Sequence, residues 1–576
     1  MSNKTLYQAD IRHVTDLKDL LCQSVQLFGD KEAFKVKNKD SVYTSISYNE
    51  YKSDVDALGS SLVDLGLKDC CISLIGENRY EWCVSYLSVV NGTGIVVPLD
   101  KDLPSTEIEN LLYRSKSSAI IFSGKLLKQI KEIHKECTSI KYFINMDADN
   151  DDDFYLSYKK LVENGKNLIL SGYKDFLNAV VDNEKMNMLL FTSGTTDLAK
   201  GVMLSHKNIC SDVMAITSCL YIDSTDSALS ILPLHHTYEC TAGFLVMIYN
   251  GCSIAFCEGL KHISKNLQEV KPTILMLVPL ILENLYKKIW MTAKKKRFGK
   301  LYLKLGLIIC NLLKILNIDI TKKVFKSIND SLGGNLRLVI SGAAGLAPNV
   351  SRGLRDFGFN VLQGYGLTEC SPIVTVNRDN LFRHDSIGLP IYGVNVKLDN
   401  VDENGIGELM VQGDIVMLGY FENPVATRKV LKDGWFYTGD LGTIDSEGLI
   451  RITGRKKNVI VTKNGKNIFP EEVEAYLGES EFILESLVTG EFDESSGETI
   501  VSAQIYPDYD NIQEKFKVSA SDEKVIEKII HTEIKKINKL MPLYKHVKMI
   551  NLRTYEFEKT TSQKIKRYGQ QVQKTG

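Results

Sequence analysis

The stretch YNEYKSDVDALGSSLVDLGL (48–67), followed by CISLIG (71–76), TGIVVPLD (93–100) and SSAIIFSG (117–124), decides the fold class. The first run has apolar residues at helical spacing, and the other three are short apolar runs of strand length. Helices alternating with buried strands predict an α/β region built on parallel sheets, with ligand loops at the carboxyl ends of the strands. The pattern continues in the strand before Ser193 and in LRLVISG, which ends at Gly342. No internal repeat of fixed period is present. The acidic run from Asp147 to Asp153 reads as a solvated loop.

At 576 residues the chain exceeds one hydrophobic core, so a large region plus a smaller domain is expected. Lysine and arginine number 70 against 71 acidic residues, a net charge of -1, which removes any bulk electrostatic case for nucleic acid. Twelve cysteines without a CxxC pair read as reduced, mostly buried thiols of a cytoplasmic protein. The opening residues have no apolar signal core and no stretch has bilayer-spanning length. The protein is expected to be soluble or peripheral.

Two segments set boundaries. After Trp290 the chain becomes very basic (KKKRFGK) and then apolar at helical spacing, through Leu301, Leu305, Ile308, Leu312 and Leu316. This predicts a helical excursion packed on the main domain, the alternative being a basic amphipathic helix at a membrane surface. The second boundary falls at Arg455-Lys456-Lys457. Beyond it a VSAQIYP strand and a charged helix from Glu523 form an independent α+β set. Domains are therefore expected at 1–455 and 456–576, the smaller one able to rotate on a short charged linker.

The chemistry begins at Leu190-Phe191-Thr192-Ser193-Gly194-Thr195-Thr196-Asp197-Leu198-Ala199-Lys200-Gly201. A strand-like run feeds a loop of hydroxyls and glycine closed by a lysine. Hydroxyls and free N–H groups can wrap phosphate oxygens while Lys200 supplies a point charge. It is not a Walker A loop, since no glycine precedes Lys200 and no Ser or Thr follows it.

This segment resembles the TSGTTGxPKG signature of the adenylate-forming superfamily of acyl-CoA synthetases, luciferases and peptide-synthetase adenylation domains. Further matches follow in the family's order across nearly the whole chain. Leu232-Pro233-Leu234-His235-His236-Thr237-Tyr238-Glu239 resembles the acyl-pocket motif, and Gln363-Gly364-Tyr365-Gly366-Leu367-Thr368-Glu369 the adenine and metal loop. Gly434-Trp435-Phe436-Tyr437-Thr438-Gly439-Asp440 resembles the ribose motif and Thr453-Gly454-Arg455-Lys456-Lys457 the hinge. Lys559-Thr560-Thr561-Ser562-Gln563-Lys564-Ile565 resembles the terminal lysine segment.

The resemblance implies ATP, Mg²⁺ and coenzyme A as cofactors and co-substrates, and a carboxylic acid as substrate. It assigns nucleotide contacts to Thr192, Ser193, Gly194, Thr195, Thr196, Lys200, Gly342, Ala343, Gln363, Gly364, Tyr365, Gly366, Thr368, Asp440 and Arg455. Tyr365 offers a flat face to adenine, and Asp440 and Arg455 suit the ribose hydroxyls. Thr192 and Glu369 are hard oxygen ligands suited to Mg²⁺. His236 becomes a wall of the acyl pocket. Lys564 would neutralise the two anions meeting at the α-phosphate, a role worth about 3–4 kcal/mol. Lys457 is the implied hinge, and Gly465 would leave room for the pantetheine arm.

Four positions depart from the family pattern: Asp197, Ala199, Gln563 and Leu280. None removes a group that performs chemistry. The implied activity is ligation of a medium- or long-chain fatty acid to coenzyme A through acyl-AMP. The alternatives are an acyl-AMP ligase loading a carrier protein and a non-catalytic nucleotide or acyl sensor. Peripheral membrane contact and a homodimer stay open as partners.

Overall fold

The computed structural model describes residues 11–38, 40–134, 137, 139–192, 199–461, 466–494, 498–519, 521–559 and 565–567. The chain divides into two compact units, one of residues 1–395 with 411–436, the other of 396–410 with 437–576. All twelve cysteines are free thiols, each buried or half-buried.

Unit one holds two large sheets. In the first, strands Met186–Thr192, Gly94–Leu99, Cys70–Ile75, Ser117–Phe122, Tyr142–Asn145 and Leu156–Ser157 run in that order and all parallel. Three of the strands expected from the opening stretch are therefore neighbours. The helix expected over the same stretch is Tyr48–Asp64. It starts at a capping box in which the Glu50 carboxylate accepts from the Ser47 N–H at 2.7 Å and the Ser47 hydroxyl accepts from the Glu50 N–H at 3.2 Å. Val97, Ile108, Leu112, Ile120, Phe122 and Ile130 fill one core around this sheet. Each such side chain contributes about 1.5–3 kcal/mol by leaving water.

The second sheet has nine strands. Its parallel centre runs Val361–Gly366, Leu338–Ser341, Ile274–Leu277, Ser227–Ser230, Ser253–Phe256 and Glu32–Lys37. Antiparallel strands finish both edges. The register aligns Leu277 with Ser341 and Ser341 with Gln363, so consecutive parallel strands end level. The expected α/β class is what the chain adopts.

In unit two, strands Ile483–Asp493, Glu498–Pro507 and Val547–Leu552 make a three-stranded sheet, covered by helices Pro470–Gly478 and Glu523–Asn538. Val473, Leu477, Val501, Ala503, Ile530 and Ile534 form its core. The strand expected at VSAQIYP and the helix expected from Glu523 are both present.

The basic-apolar segment differs from expectation in one respect. Helix Gly299–Ile315 does pack on unit one, but through Leu303, Gly306, Leu307 and Cys310, against Phe325 and its neighbours. The stripe Leu301, Leu305, Ile308, Leu312 and Leu316 faces outward. Apolar residues encircle this helix, so periodicity alone did not say which side goes in. Among the described residues no helix is long and apolar enough to cross a membrane. The acidic run is also less free than expected: Asp147 accepts from the Arg79 guanidinium at 2.8 and 2.9 Å and from the Gly124 N–H at 2.7 Å.

Helix Tyr158–Leu170 crosses Tyr48–Asp64 with no room to spare. A Cβ on Gly165 would lie 1.8 Å from the Ala57 carbonyl oxygen. Both partners are backbone, so a methyl there forces the helices apart. Gly165→Ala is expected to cost at least about 1–3 kcal/mol in urea unfolding. Gly345→Ala, where a Cβ meets nothing within 4 Å, should leave the midpoint unchanged.

Candidate nucleotide and acyl site

The carboxyl ends of the nine-stranded sheet carry several of the motifs of unit one. The loop after Ser227–Ser230 is the LPLHHTYE motif; the loop after Leu338–Ser341 begins with Gly342 and Ala343; strand Val361–Gly366 ends in the adenine motif itself. The Gly342 N–H donates to the Leu277 carbonyl at 3.1 Å, tying two of these ends together. A Cβ on Gly342 would lie 2.9 Å from the Tyr238 ring, whose hydroxyl donates to the Ile340 carbonyl at 2.9 Å. Ala343 adopts a left-handed φ of 72°, a strained conformation held at a site-forming turn.

Gln363 is buried with both polar ends engaged: its carbonyl accepts from the Leu346 N–H at 3.0 Å and its amide donates to the His384 carbonyl at 2.7 Å. It thereby holds the loop after Gly342 in place. Tyr365 is half-buried between Gly364 and Gly366 and lies opposite Thr375. The glycine at 366 has a packing cause, because a Cβ there would meet the Pro372 carbonyl oxygen at 1.8 Å. Thr368 and Glu369 lie in a single 3₁₀ turn.

The Glu369 carboxylate accepts from the Tyr420 hydroxyl at 2.9 Å. The Lys200 ammonium sits 4.8 Å from the centre of the same Tyr420 ring. Tyr420 therefore links the two charges that the motifs place far apart in sequence. It arrives on the short strand Gly419–Tyr420, which pairs antiparallel with Lys200–Ser205. Sequence reasoning missed it, and no motif quoted above contains it. Thr192 lies directly opposite Lys200 in the antiparallel pair Met186–Thr192 and Lys200–Ser205, and its hydroxyl donates to the Lys200 carbonyl at 3.4 Å. Ser193, Gly194, Thr195, Thr196 and Asp197 lie between these strands, outside the described residues.

Thr192 and Glu369 supply one hydroxyl and one carboxylate. Among the described residues no group of three or more His, Cys, Asp or Glu side chains gathers to hold a metal ion. Few protein oxygens with phosphates completing the shell is the donor set that suits Mg²⁺ on a nucleotide.

In the acyl motif, the His235 and His236 rings meet at a tilt of 44° with centres 4.3 Å apart. Burial pushes the His235 imidazole down to about 3, so the ring is neutral at physiological pH. Glu239, which sequence reasoning did not single out, is almost completely buried on the helix Tyr238–Leu245, a π-helix of the kind that recurs at functional sites. One of its carboxylate oxygens has no hydrogen-bond partner. Burial raises its pKa to about 8.

Unit two carries the ribose and hinge motifs. Antiparallel strands Trp435–Ile444 and Ile450–Arg455 place Asp440 opposite Arg455, and the Arg455 Nε approaches the Asp440 carboxylate to 2.6 Å. Asp440 is 5% exposed and Arg455 43%, so a buried acceptor is presented by an accessible guanidinium. Gly439 has a φ of 72°, which favours glycine. Its N–H donates to Glu408 at 3.1 Å, and Lys456 bridges to the same carboxylate at 2.7 Å. Lys457 is exposed on the 3₁₀ turn Lys456–Asn458.

Gly465 and Lys564 lie outside the described residues, but their flanks are described. Ile460–Val461 pairs with Asn467–Ile468 around the first. Lys559 pairs with Ile565 around the second. Lys559 bridges to Glu485 and, at 3.1 Å, to Glu556; Arg567 bridges to Glu474 at 2.5 Å and Glu471 at 3.4 Å. The cations on either side of Lys564 are thus spent on acids of their own unit.

The raised pKa of Glu239 has a measurable consequence. Between the ordinary carboxyl value near 4.5 and about 8 the folded state holds a proton that the unfolded chain has released. Folding is therefore weakened by this group as pH rises through that window. Glu239→Gln should remove the effect, raising Tm relative to the parent at pH 8 and leaving it near the parent value at pH 4.5. Equal Tm differences at both pH values would overturn the assignment.

Residues 21–421 match the family of AMP-binding enzymes. Long-chain-fatty-acid–CoA ligase 5 of Rattus norvegicus is 32% identical over 479 residues, covering 78% of this chain and 69% of that protein. Fatty acyl-CoA synthetase A of Dictyostelium discoideum is 31% identical over 502 residues, covering 82% and 73%. Among solved structures, the anthranilate CoA ligase AuaEII in complex with anthranoyl-AMP superposes with a TM-score of 0.78 over 97% of both chains at 21% identity, a likeness of fold. With the family match spanning most of the chain and the motifs at the strand ends, this chain belongs to the adenylate-forming, AMP-binding enzymes, in the family of AMP-forming acid–thiol ligases.

Proposed function

We propose that the chain activates a medium- or long-chain fatty acid with ATP and transfers the acyl group to coenzyme A. The observation that carries this reading is the similarity of about four-fifths of the chain to long-chain fatty acid–CoA ligases; beside it, the core packed on the nine-stranded sheet holds an apolar cavity of about 60 Å³, lined by Ile231, Leu277, Leu282, Val339, Leu354 and Phe359 among others. Ile231 immediately precedes the acyl motif, and the Leu277 carbonyl accepts from the Gly342 N–H.

In the first half-reaction a carboxylate oxygen attacks the α-phosphorus of ATP, the bond to pyrophosphate breaks, and acyl-AMP forms. Tyr365 stacks on adenine, Asp440 accepts from the ribose hydroxyls, and Arg455 donates to the same sugar. Lys200 and the loop 193–196 hold phosphate oxygens. Mg²⁺ held by Glu369 and Thr192 would neutralise phosphate charge. His235, neutral beside His236, brings no charge of its own to the pocket wall. In the second half-reaction the coenzyme A sulfur attacks the acyl carbonyl and AMP departs. A turn of the C-terminal part about Lys457 would exchange Lys564 for the face bearing Gly465.

A panel of acids incubated with ATP and Mg²⁺, with and without coenzyme A, tests the reading by mass spectrometry. Acyl-AMP without coenzyme A and thioester with it are expected for long apolar acids; thioester from short polar acids alone would overturn the substrate class. Lys564→Ala should slow adenylation about 100- to 1,000-fold and largely spare thioester formation from supplied acyl-AMP. Gly465→Leu should do the reverse, accumulating acyl-AMP while thioester turnover falls.

A further inference from the structure

We propose that the outward face of helix Gly299–Ile315, with the cations that precede it, seats unit one on the surface of an anionic lipid bilayer. This goes beyond the proposed reaction and does not depend on it. Leu301, Leu305, Ile308, Leu312, Ile315 and Leu316 are 49–77% exposed. Their spacing of three and four residues puts them on one side of the helix. The opposite side is anchored: Cys310 is fully buried, and a Cβ on Gly306 would touch the Phe325 ring at 3.2 Å. An apolar stripe held outward by a packed inner face is not a free helix end that could fold back. Patches of this kind mark a binding surface.

Charge selects the occupant. Between Glu283 and Asp319 the sequence has no acidic residue, yet it holds Lys287, Lys288, Lys294, Lys295, Lys296, Arg297, Lys300, Lys304 and Lys314. The run Lys294–Arg297 is exposed at the entry to the helix, and Lys300 and Lys304 lie along one flank of the stripe. A second copy docked through this face by a two-fold axis would bring the two cation clusters together with no acids from this segment to offset them. A bilayer meets both demands, with acyl chains for the stripe and phosphate headgroups for the cations. At 17 residues with one side buried in protein, the helix lies along the surface and does not span it. It packs on helix Pro279–Lys294, whose Ile281, Leu282 and Leu285 line the apolar cavity. One helix therefore separates the lipid-facing stripe from that cavity.

Co-sedimentation of the full chain with phosphatidylcholine vesicles, with or without one-third phosphatidylglycerol, tests the proposal and reads binding without reference to catalysis. Binding is expected with the anionic vesicles at low salt and should weaken as salt screens the headgroups. Replacing Lys294, Lys295, Lys296 and Arg297 by Gln should lower the partition coefficient about five-fold per cation removed. The combined Leu305→Asp, Ile308→Asp and Leu312→Asp variant changes only exposed positions, should keep the parent Tm, and should lose at least ten-fold in partition. Absence of binding by the parent at low salt, or equal partition of the triple variant, overturns the proposal. A concentration-dependent dimer that the triple variant abolishes, without vesicle binding, would assign the face to a second copy instead.

Discussion

Parallel strand pairing is the constraint on which the motifs of unit one depend. Backbone hydrogen bonds hold Leu277 level with Ser341 and Ser341 level with Gln363, so the segments leaving these strands emerge at one edge. Gly342, Ala343 and the QGYG run sit on these strand ends, and His236 on the loop that follows the parallel strand Ser227–Ser230. A slip of one residue would move each side chain to the opposite face of the sheet. The Gly342 N–H to Leu277 carbonyl bond and the two amide bonds of Gln363 lock the same edge from the loop side. The chemistry is thus placed by backbone register first and by side chains second.

Several motif residues have a packing cause beside their chemical one. Gly366 is required by the Pro372 carbonyl, and Gly439 by a left-handed turn that aims its N–H at Glu408. The motif is specific because each residue meets neighbours on both counts, which leaves little freedom for substitution. The Lys200, Tyr420 and Glu369 cluster shows a related economy. One tyrosine offers its ring face to a cation and its hydroxyl to a carboxylate, so it stands in contact with two opposite charges at once.

Unit two is organised by electrostatics of another kind. Asp440 is kept buried by its strand and faced by an accessible arginine, while Lys559 and Arg567 are consumed by Glu485, Glu556, Glu471 and Glu474. Burial raises Glu474 to about 7 despite the opposing pull of Arg567, a sign of how far that carboxylate is withdrawn from water. These flanking cations are committed to structure, while Lys564, which the resemblance singles out for chemistry, lies outside the described residues.

By itself the sequence determined the α/β class, the strands of the opening stretch, the helix from Glu523 and the family, because hydrophobic period and motif order are local properties of the chain. It also named the charged groups of the nucleotide motifs. Only the tertiary structure decided that Tyr420 joins Lys200 to Glu369, since a strand of two residues more than two hundred positions from Lys200 carries no periodic signal. Glu239 was legible as a letter in a motif, but not as a buried, unpaired carboxyl, because burial depends on what packs over it. The same holds for helix Gly299–Ile315. Periodicity announces a helix, but apolar residues on both sides leave its orientation open. The inner face was chosen by where Phe325 and its neighbours stand in the folded core.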